Sequence, residues 1–152
     1  MKTLGTIVMA EKTPSQNAFS RELRHPFRYT QLKARMTTWV MVGMVNGKIP
    51  KATTRRRRLT ITRYTKHASY QLDRGNFVGG CKPLLDAAIG MALIVDDKEQ
   101  WLDDIYIQRV SKDERTEILV EEFEEDVGAK PEPGRMGHAD TSAVLRSRAT
   151  DR

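Results

Sequence analysis

Between residues 73 and 97 the chain reads DRGNFVGGCKPLLDAAIGMALIVDD, an apolar and glycine-rich run with charges set in it and around it. Leu, Ile, Val and Ala at this density are written for burial. The carboxylates in and beside the run, Asp73, Asp86, Asp96 and Asp97, must then be paired, solvated or bound to a cation to stay ionised. This is the first place in the chain to look for a metal site.

Charge is distributed unevenly around that segment. Residues 1–72 hold 15 Lys and Arg against two acids, Glu11 and Glu22, whereas residues 73–152 hold 11 against 18, so the overall net charge of +6 conceals a dipolar chain. A basic half suits a polyanion, because each phosphate neutralised by Lys or Arg releases condensed counterions. Clustered carboxylates suit a divalent cation. Together they predict a protein that holds a nucleic acid and carries out metal-assisted chemistry on it.

At 152 residues the chain is long enough for one domain with a real core, here residues 1–125, while a charged fraction of 30% leaves a broad solvated surface. Residues 4–10 are too short for a secretory leader and run straight into Glu11 and Lys12, and no stretch reaches the roughly 18 apolar residues of a membrane span. The single cysteine, Cys81, has no internal partner for a disulfide. A reducing cytoplasm is the expected compartment. Cys81 itself reads as a small buried hydrophobe.

Residues 4–10 predict a first strand, followed by turn material at Pro14, Ser15, Gln16 and Asn17. Leu32, Met36, Trp39, Val40 and Gly43 or Met44 recur at helical spacing and predict a helix over 30–45, ended by Asn46-Gly47 and Pro50. Residues 59–64, LTITRY, alternate as a half-buried strand does. Four arginines lead into it. With no acid nearby, Arg55, Arg56, Arg57 and Arg58, continued by Arg63 and Lys66, predict contacts to backbone phosphates.

Residues 76–93 predict a helix with Phe77, Cys81, Leu84, Leu85, Ala88 and Ala92 on one face, kinked near Pro83 or starting only there. Lys82 and Asp86 share one side of it. Strands are expected over 105–110 and 116–123, joined as a hairpin through the charged turn 111–115. Residues 126–152, rich in Pro, Gly, Ser and charge, predict a disordered tail. The fold class is therefore mixed α/β (α+β), a small mixed sheet flanked by helices.

Three familiar patterns do not apply. Gly79-Gly80 lacks the Gly-Lys-Ser/Thr continuation of a phosphate-binding loop, and His25, His67 and His138 have no paired cysteines to make a zinc site. Asp96-Asp97-Lys98 matches only a short nuclease fragment, with no Pro-Asp partner before it.

The acidic constellation has a closer parallel. A basic strand, then Asp73, Asn76, Lys82, Asp86 and the doublet Asp96-Asp97 followed by Trp101-Leu102, resembles the RusA-type Holliday junction resolvases and their phage and prophage relatives. Those proteins show an Asp-x-Asp-Asn cluster opening a helix, a Lys and an Asp along it, and an Asp-Asp doublet after it. Pro14-Ser15-Gln16-Asn17 is similar to the Pro-Pro-Ser-x-Asn turn near their N-terminus. The resemblance covers residues 1–123 and is most specific over 73–101. It implies Asp73 and Asp97 as metal-binding acids, Lys82 as the cation near the scissile phosphate, and Asp86 and Asp96 as supporting groups. It also implies Mg²⁺, or Mn²⁺, as cofactor, a four-way DNA junction as substrate and a homodimer that makes two symmetric nicks. Two departures stand out: Gly75 occupies the place of the second acid, and the stretch from Asn76 to Lys82 is longer.

Aspartates without histidines fit magnesium better than zinc. Each aspartate also has an ordinary use. Asp73 is placed to cap the helix near Asn76, Asp86 to pair with Lys82, and Asp96-Asp97 to form a turn. Their coincidence beside a basic half favours the metal site, while Gly75 keeps open a family member that binds branched DNA without cutting it.

Overall fold

A computed structural model of the chain, described over residues 1–126, has the element order β1 (Lys2–Met9), α1 (Gln16–Leu23), α2 (Pro26–Asn46), β2 (Arg55–Thr65), α3 (Arg74–Gly80), α4 (Lys82–Gly90), β3 (Leu102–Val110) and β4 (Arg115–Asp126), with a short 3₁₀ turn at Ala68–Tyr70. The fold is thus mixed α+β. Apart from Asp126 at the end of β4, the tail expected over 126–152 lies outside the described residues. Among those described, no helix is long and apolar enough to cross a membrane.

The strands form one mixed sheet in the order β1-β4-β2-β3, in which β2 runs parallel to β3 and antiparallel to β4. Its core-facing residues include Ile7, Met9, Leu59, Ile61, Ile118 and Val120, all buried. Onto them pack Leu32, Met36, Val40 and Met44, a straight stripe at intervals of four along α2, and Leu84, Leu85 and Ala88 of α4. Helix and sheet approach so closely at Gly43 that a Cβ there would lie 2.3 Å from Ile7 Cγ2. Any side chain at that position would push α2 off β1.

Helix α1 replaces the expected turn material. It is polar on average and buries no residue fully, and Ala18, Phe19 and Leu23 give it an apolar side only two turns long; Ser15 caps it by accepting a hydrogen bond from the Ala18 amide at 3.1 Å. The helix expected over 76–93 is two helices that meet at Cys81. Pro83 lies in the first turn of α4, where its missing amide proton costs nothing. A Cβ on Gly80 would lie 1.9 Å from the Pro14 carbonyl oxygen, so only glycine lets α3 seat against the chain entering α1.

The expected hairpin between the last two strands is overturned. β2 lies between β3 and β4, and the linking segment passes the end of β2, where the Ser111 amide donates to the Thr65 carbonyl at 2.9 Å. Charge supplies the reason. A tight hairpin would set Asp103 and Asp104 against Glu122 and Glu121, whereas the observed register sets Arg57 against Glu122 and Arg58 against Glu121. Like charges directly opposed weaken a sheet and opposite ones contribute roughly 0.2–1 kcal/mol a pair.

Candidate functional site

Lys82 opens α4 and points its ammonium between two carboxylates, Asp86 Oδ1 and Asp97 Oδ2, each at 2.9 Å. Asp86 is there because it lies one helical turn further along, and Asp97 because the chain returns past α4 after the buried pair Leu93-Ile94. Hydrogen bonds from Lys82 to Asp97 and then to Asp86 push the Lys82 pKa up to about 12, so it stays charged at any ordinary pH. The group faces water, its lysine side chain 48% exposed. Exposed pairs of this kind contribute only about 0–1 kcal/mol each to stability.

Asp73 and Asp96 form no ion pair with Lys82. Asp73 caps α3, accepting at Oδ1 from the Asn76 amide at 3.0 Å and at Oδ2 from the Asn76 side chain, and these bonds hold its carboxyl below the usual range. Asp96 pairs with Lys98 at 2.8 Å and accepts from the Asp97 amide, a tight turn whose Lys98 partner likewise lowers its pKa. The cap, the Lys82–Asp86 pair and the turn are all formed. Among the described residues no three His, Cys, Asp or Glu side chains are grouped to hold a metal ion.

Beside Lys82 opens a cleft of about 540 Å³. Phe19 and Leu23 of α1 wall one side, and Lys82, Asp97, Asp104 and Tyr106 the other. Asp104 was not foreseen from the sequence, which predicted β3 only from residue 105. Its carboxylate accepts from the Tyr106 hydroxyl at 2.5 Å, and Tyr106 sits edge-on to Phe77 with ring centroids 5.6 Å apart. Burial, then the Asp104 carboxylate, raises the Tyr106 pKa far above its ordinary value, so the phenol acts as a neutral donor. The cleft thereby presents two carboxylates and one ammonium. Hard carboxylate oxygens suit Mg²⁺, which ordinarily takes one or two of them and fills its remaining positions with water and substrate phosphate. Asp97 and Asp104 line the cleft with oxygens of that kind, whereas Asp73, Asp86 and Asp96 do not line it.

The arginine block is largely absorbed by the fold. Arg57 is 1% exposed, with its guanidinium on Glu122 Oε2 at 2.9 Å and on the carbonyls of Pro50 and Leu93, and Arg63, 6% exposed, donates to the Thr13 and Tyr70 carbonyls. Neither is accessible to phosphate, which corrects their assignment as DNA contacts. Burial desolvates the Arg63 guanidinium and lowers its pKa. Arg56 and Arg58 lie over the Phe123 ring, Arg58 also bonds Asp103 at 2.6 Å, and Arg55 is 3.7 Å from Glu122. The acids missing near this block in sequence arrive from β3 and β4, at least 45 positions later. Lys66 is exposed.

Exposed basic side chains that form no ion pair among the described residues also lie on the helices. Arg21, Arg24, Arg28 and Lys33 of α1, α2 and the elbow between them are exposed and unpaired. Trp39 is partly buried against the core and donates to Glu11 at 2.7 Å, so it serves packing. No protein-family model matches the chain, and no curated protein matches it.

Proposed function

We propose that the protein is a Mg²⁺-dependent endodeoxyribonuclease that cuts branched DNA by paired nicking, in the manner of the RusA-type resolvases its acids and lysine resemble. The observation that carries this reading is the joint presence of Lys82, Asp97 and Asp104 on one cleft that Phe19 and Leu23 of α1 also line, with the exposed Arg24 and Arg28 just beyond the end of that helix. Lys82 holds a permanent positive charge next to two carboxylates, and a phosphodiester oxygen competing for it would find charge neutralisation without a proton transfer. Asp97 and Asp104 would hold the ion. When bound, Mg²⁺, or Mn²⁺ in its place, supplies charge stabilisation and an activated water. Tyr106 fixes the Asp104 carboxylate by its hydrogen bond. Two symmetric nicks call for two such sites, so the active form in this reading is a homodimer with two-fold symmetry.

A second reading, a protein that binds branched DNA without cutting it, is favoured by Gly75 and by the pairing of Asp97 with Lys82. One assay separates them. A synthetic four-way junction and a matched linear duplex are incubated with the protein in Mg²⁺ and in EDTA. Paired nicks on the junction alone, dependent on Mg²⁺, are the expected outcome. Tight junction binding without nicks would transfer support to the second reading, and no preference for the junction would remove both.

Gly75 offers a gain-of-function test. A Cβ there meets only Asp73 Oδ1, at an ordinary 3.4 Å, so a side chain fits without displacement. Gly75→Asp sets a second carboxylate beside Asp73 and removes a helical glycine, a change worth roughly 0.5 kcal/mol of helix stability. Because Asp73 does not line the cleft, nicking and Mg²⁺ affinity are both expected to stay near native values, and a several-fold rise in both would give α3 a share of the ion. Unchanged Mg²⁺ titrations would mean that α3 contributes nothing to the ion.

A further inference from the structure

The elbow between α1 and α2 carries the most exposed aromatic side chain among the described residues. Phe27 is 75% exposed and Leu23, four positions earlier, 50%. Large apolar side chains are ordinarily withdrawn from water, and two of them on an elbow with four basic residues against one acid, Glu22, mark a surface meant for a partner. Arg21, Arg24, Arg28 and Lys33 supply that charge, and none has an ionic partner among the described residues.

The elbow is held firmly. The Arg24 amide donates to the Arg21 carbonyl at 3.2 Å, the His25 amide to the Glu22 carbonyl at 2.9 Å, and Pro26 starts α2 with its backbone already set. Behind it the rings of Phe19 and Tyr29 pack at 6.0 Å, tying α1 to α2, and Leu32 anchors α2 in the core. Phe27 therefore projects from a fixed platform. Leu23 and Phe19 also line the cleft of Lys82 and Asp97, which places the platform at the mouth of the site.

We infer that Phe27 is a wedge that stacks on an unpaired base at the branch point of DNA, with Arg21, Arg24 and Arg28 gripping the phosphates on either side. This inference rests on the branched-DNA reading above and names the element that selects branches over duplex. The chemistry of the elbow favours nucleic acid over a protein partner, because Arg24 and Arg28 flank the apolar tip in the chain and neither has an ionic partner among the described residues. A phenyl face stacks on any base, so recognition follows the presence of an unstacked base and not its identity. In continuous duplex the bases are already stacked, and Phe27 has nothing to add.

The test uses the full chain in EDTA, where cutting is absent. Junction and linear duplex affinities are measured for the native protein, Phe27→Ala and Phe27→Trp, together with permanganate oxidation of thymines at the branch point, which reports unstacking. Phe27→Ala is expected to bind the junction about ten-fold more weakly, the loss of one stacked base. It should leave duplex affinity unchanged and lose the thymine reactivity, which Phe27→Trp restores. Arg24→Glu with Arg28→Glu is expected to weaken both DNAs alike and to flatten the salt dependence. Because Phe27 is exposed, its truncation leaves the fold intact, which circular dichroism checks. Native-like junction binding and thymine reactivity in Phe27→Ala would overturn the wedge while leaving the branched-DNA reading standing. A shift in its sedimentation instead would overturn it in favour of contact between protein chains. Failure of the native protein to prefer the junction would remove both inferences together.

Discussion

Replacing Arg57 with methionine is expected to cost about 3–5 kcal/mol of folding stability, the penalty of removing one partner from a buried charge pair. Against a total of roughly 5–15 kcal/mol for a domain, that is a large share. The guanidinium is 1% exposed and uses every face: Nε and Nη2 hold Glu122 Oε2 at 3.1 and 2.9 Å, while Nη1 reaches the Pro50 and Leu93 carbonyls at 2.9 and 2.7 Å. Methionine fills much of the volume but leaves Glu122 charged without its closest cation, the buried Leu93 carbonyl without this donor, and the part-buried Pro50 and Lys51 carbonyls likewise. The measurement is urea unfolding, where the midpoint should fall with the slope unchanged. Glu122→Leu in the same chain should recover part of the loss, because the orphaned charge goes with it. A single variant within 1 kcal/mol of the native protein would show that the network is dispensable. Arg63→Met, which strips donors from two carbonyls and breaks no ion pair, is the milder comparison.

Asp97→Asn is expected to abolish cutting, by about 10²–10³-fold or more, while leaving junction affinity within a factor of a few. The change is nearly isosteric. It removes the negative charge that both Lys82 and a bound cation require, and leaves the α1–α2 platform untouched. Binding is spared on electrostatic grounds, since DNA phosphates gain when a nearby carboxylate is neutralised. Multiple-turnover nicking and a gel-shift titration on the same junction separate the two quantities. Cutting at the native rate by Asp97→Asn would mean that the reacting groups lie elsewhere in the chain.

Local periodicity located most of the elements. The alternation of LTITRY and the interval-of-four stripe along α2 are properties of single segments, and both appear where expected. What escaped notice depends on partners distant in sequence. Helix α1 is amphipathic only relative to Phe19 and its cleft, and its boundary is written in a Ser15 cap instead of an apolar run. The four arginines looked uncompensated because their acids, Asp103 and Glu122, belong to strands that return much later. Strand order was misjudged for the same reason: a short charged turn suggests a hairpin until the acids on both of its arms are counted. In the candidate site, Lys82, Asp86 and Asp97 do meet, as helical spacing and the chain's return past α4 allow. Asp73 and Asp96 do not join them, since a cap and a turn satisfy each locally. Asp104 was hidden at a strand boundary, the least legible part of any pattern.

The order β1-β4-β2-β3 also governs how the molecule comes into being. Of the described strands β1 is the earliest in the chain, yet its sole neighbour among them is β4, more than a hundred residues later. Until β4 is synthesised, Lys2–Met9 is an unpaired edge and β2 lacks half of its hydrogen bonds. Helices α2 and α4 are able to collapse onto each other earlier, but without the sheet they have only a partial floor. Such long-range closure is slow compared with local contacts. The nascent chain therefore waits, with its first strand exposed, for the keystone that completes it, and a cell making this protein must shield that edge for the whole interval.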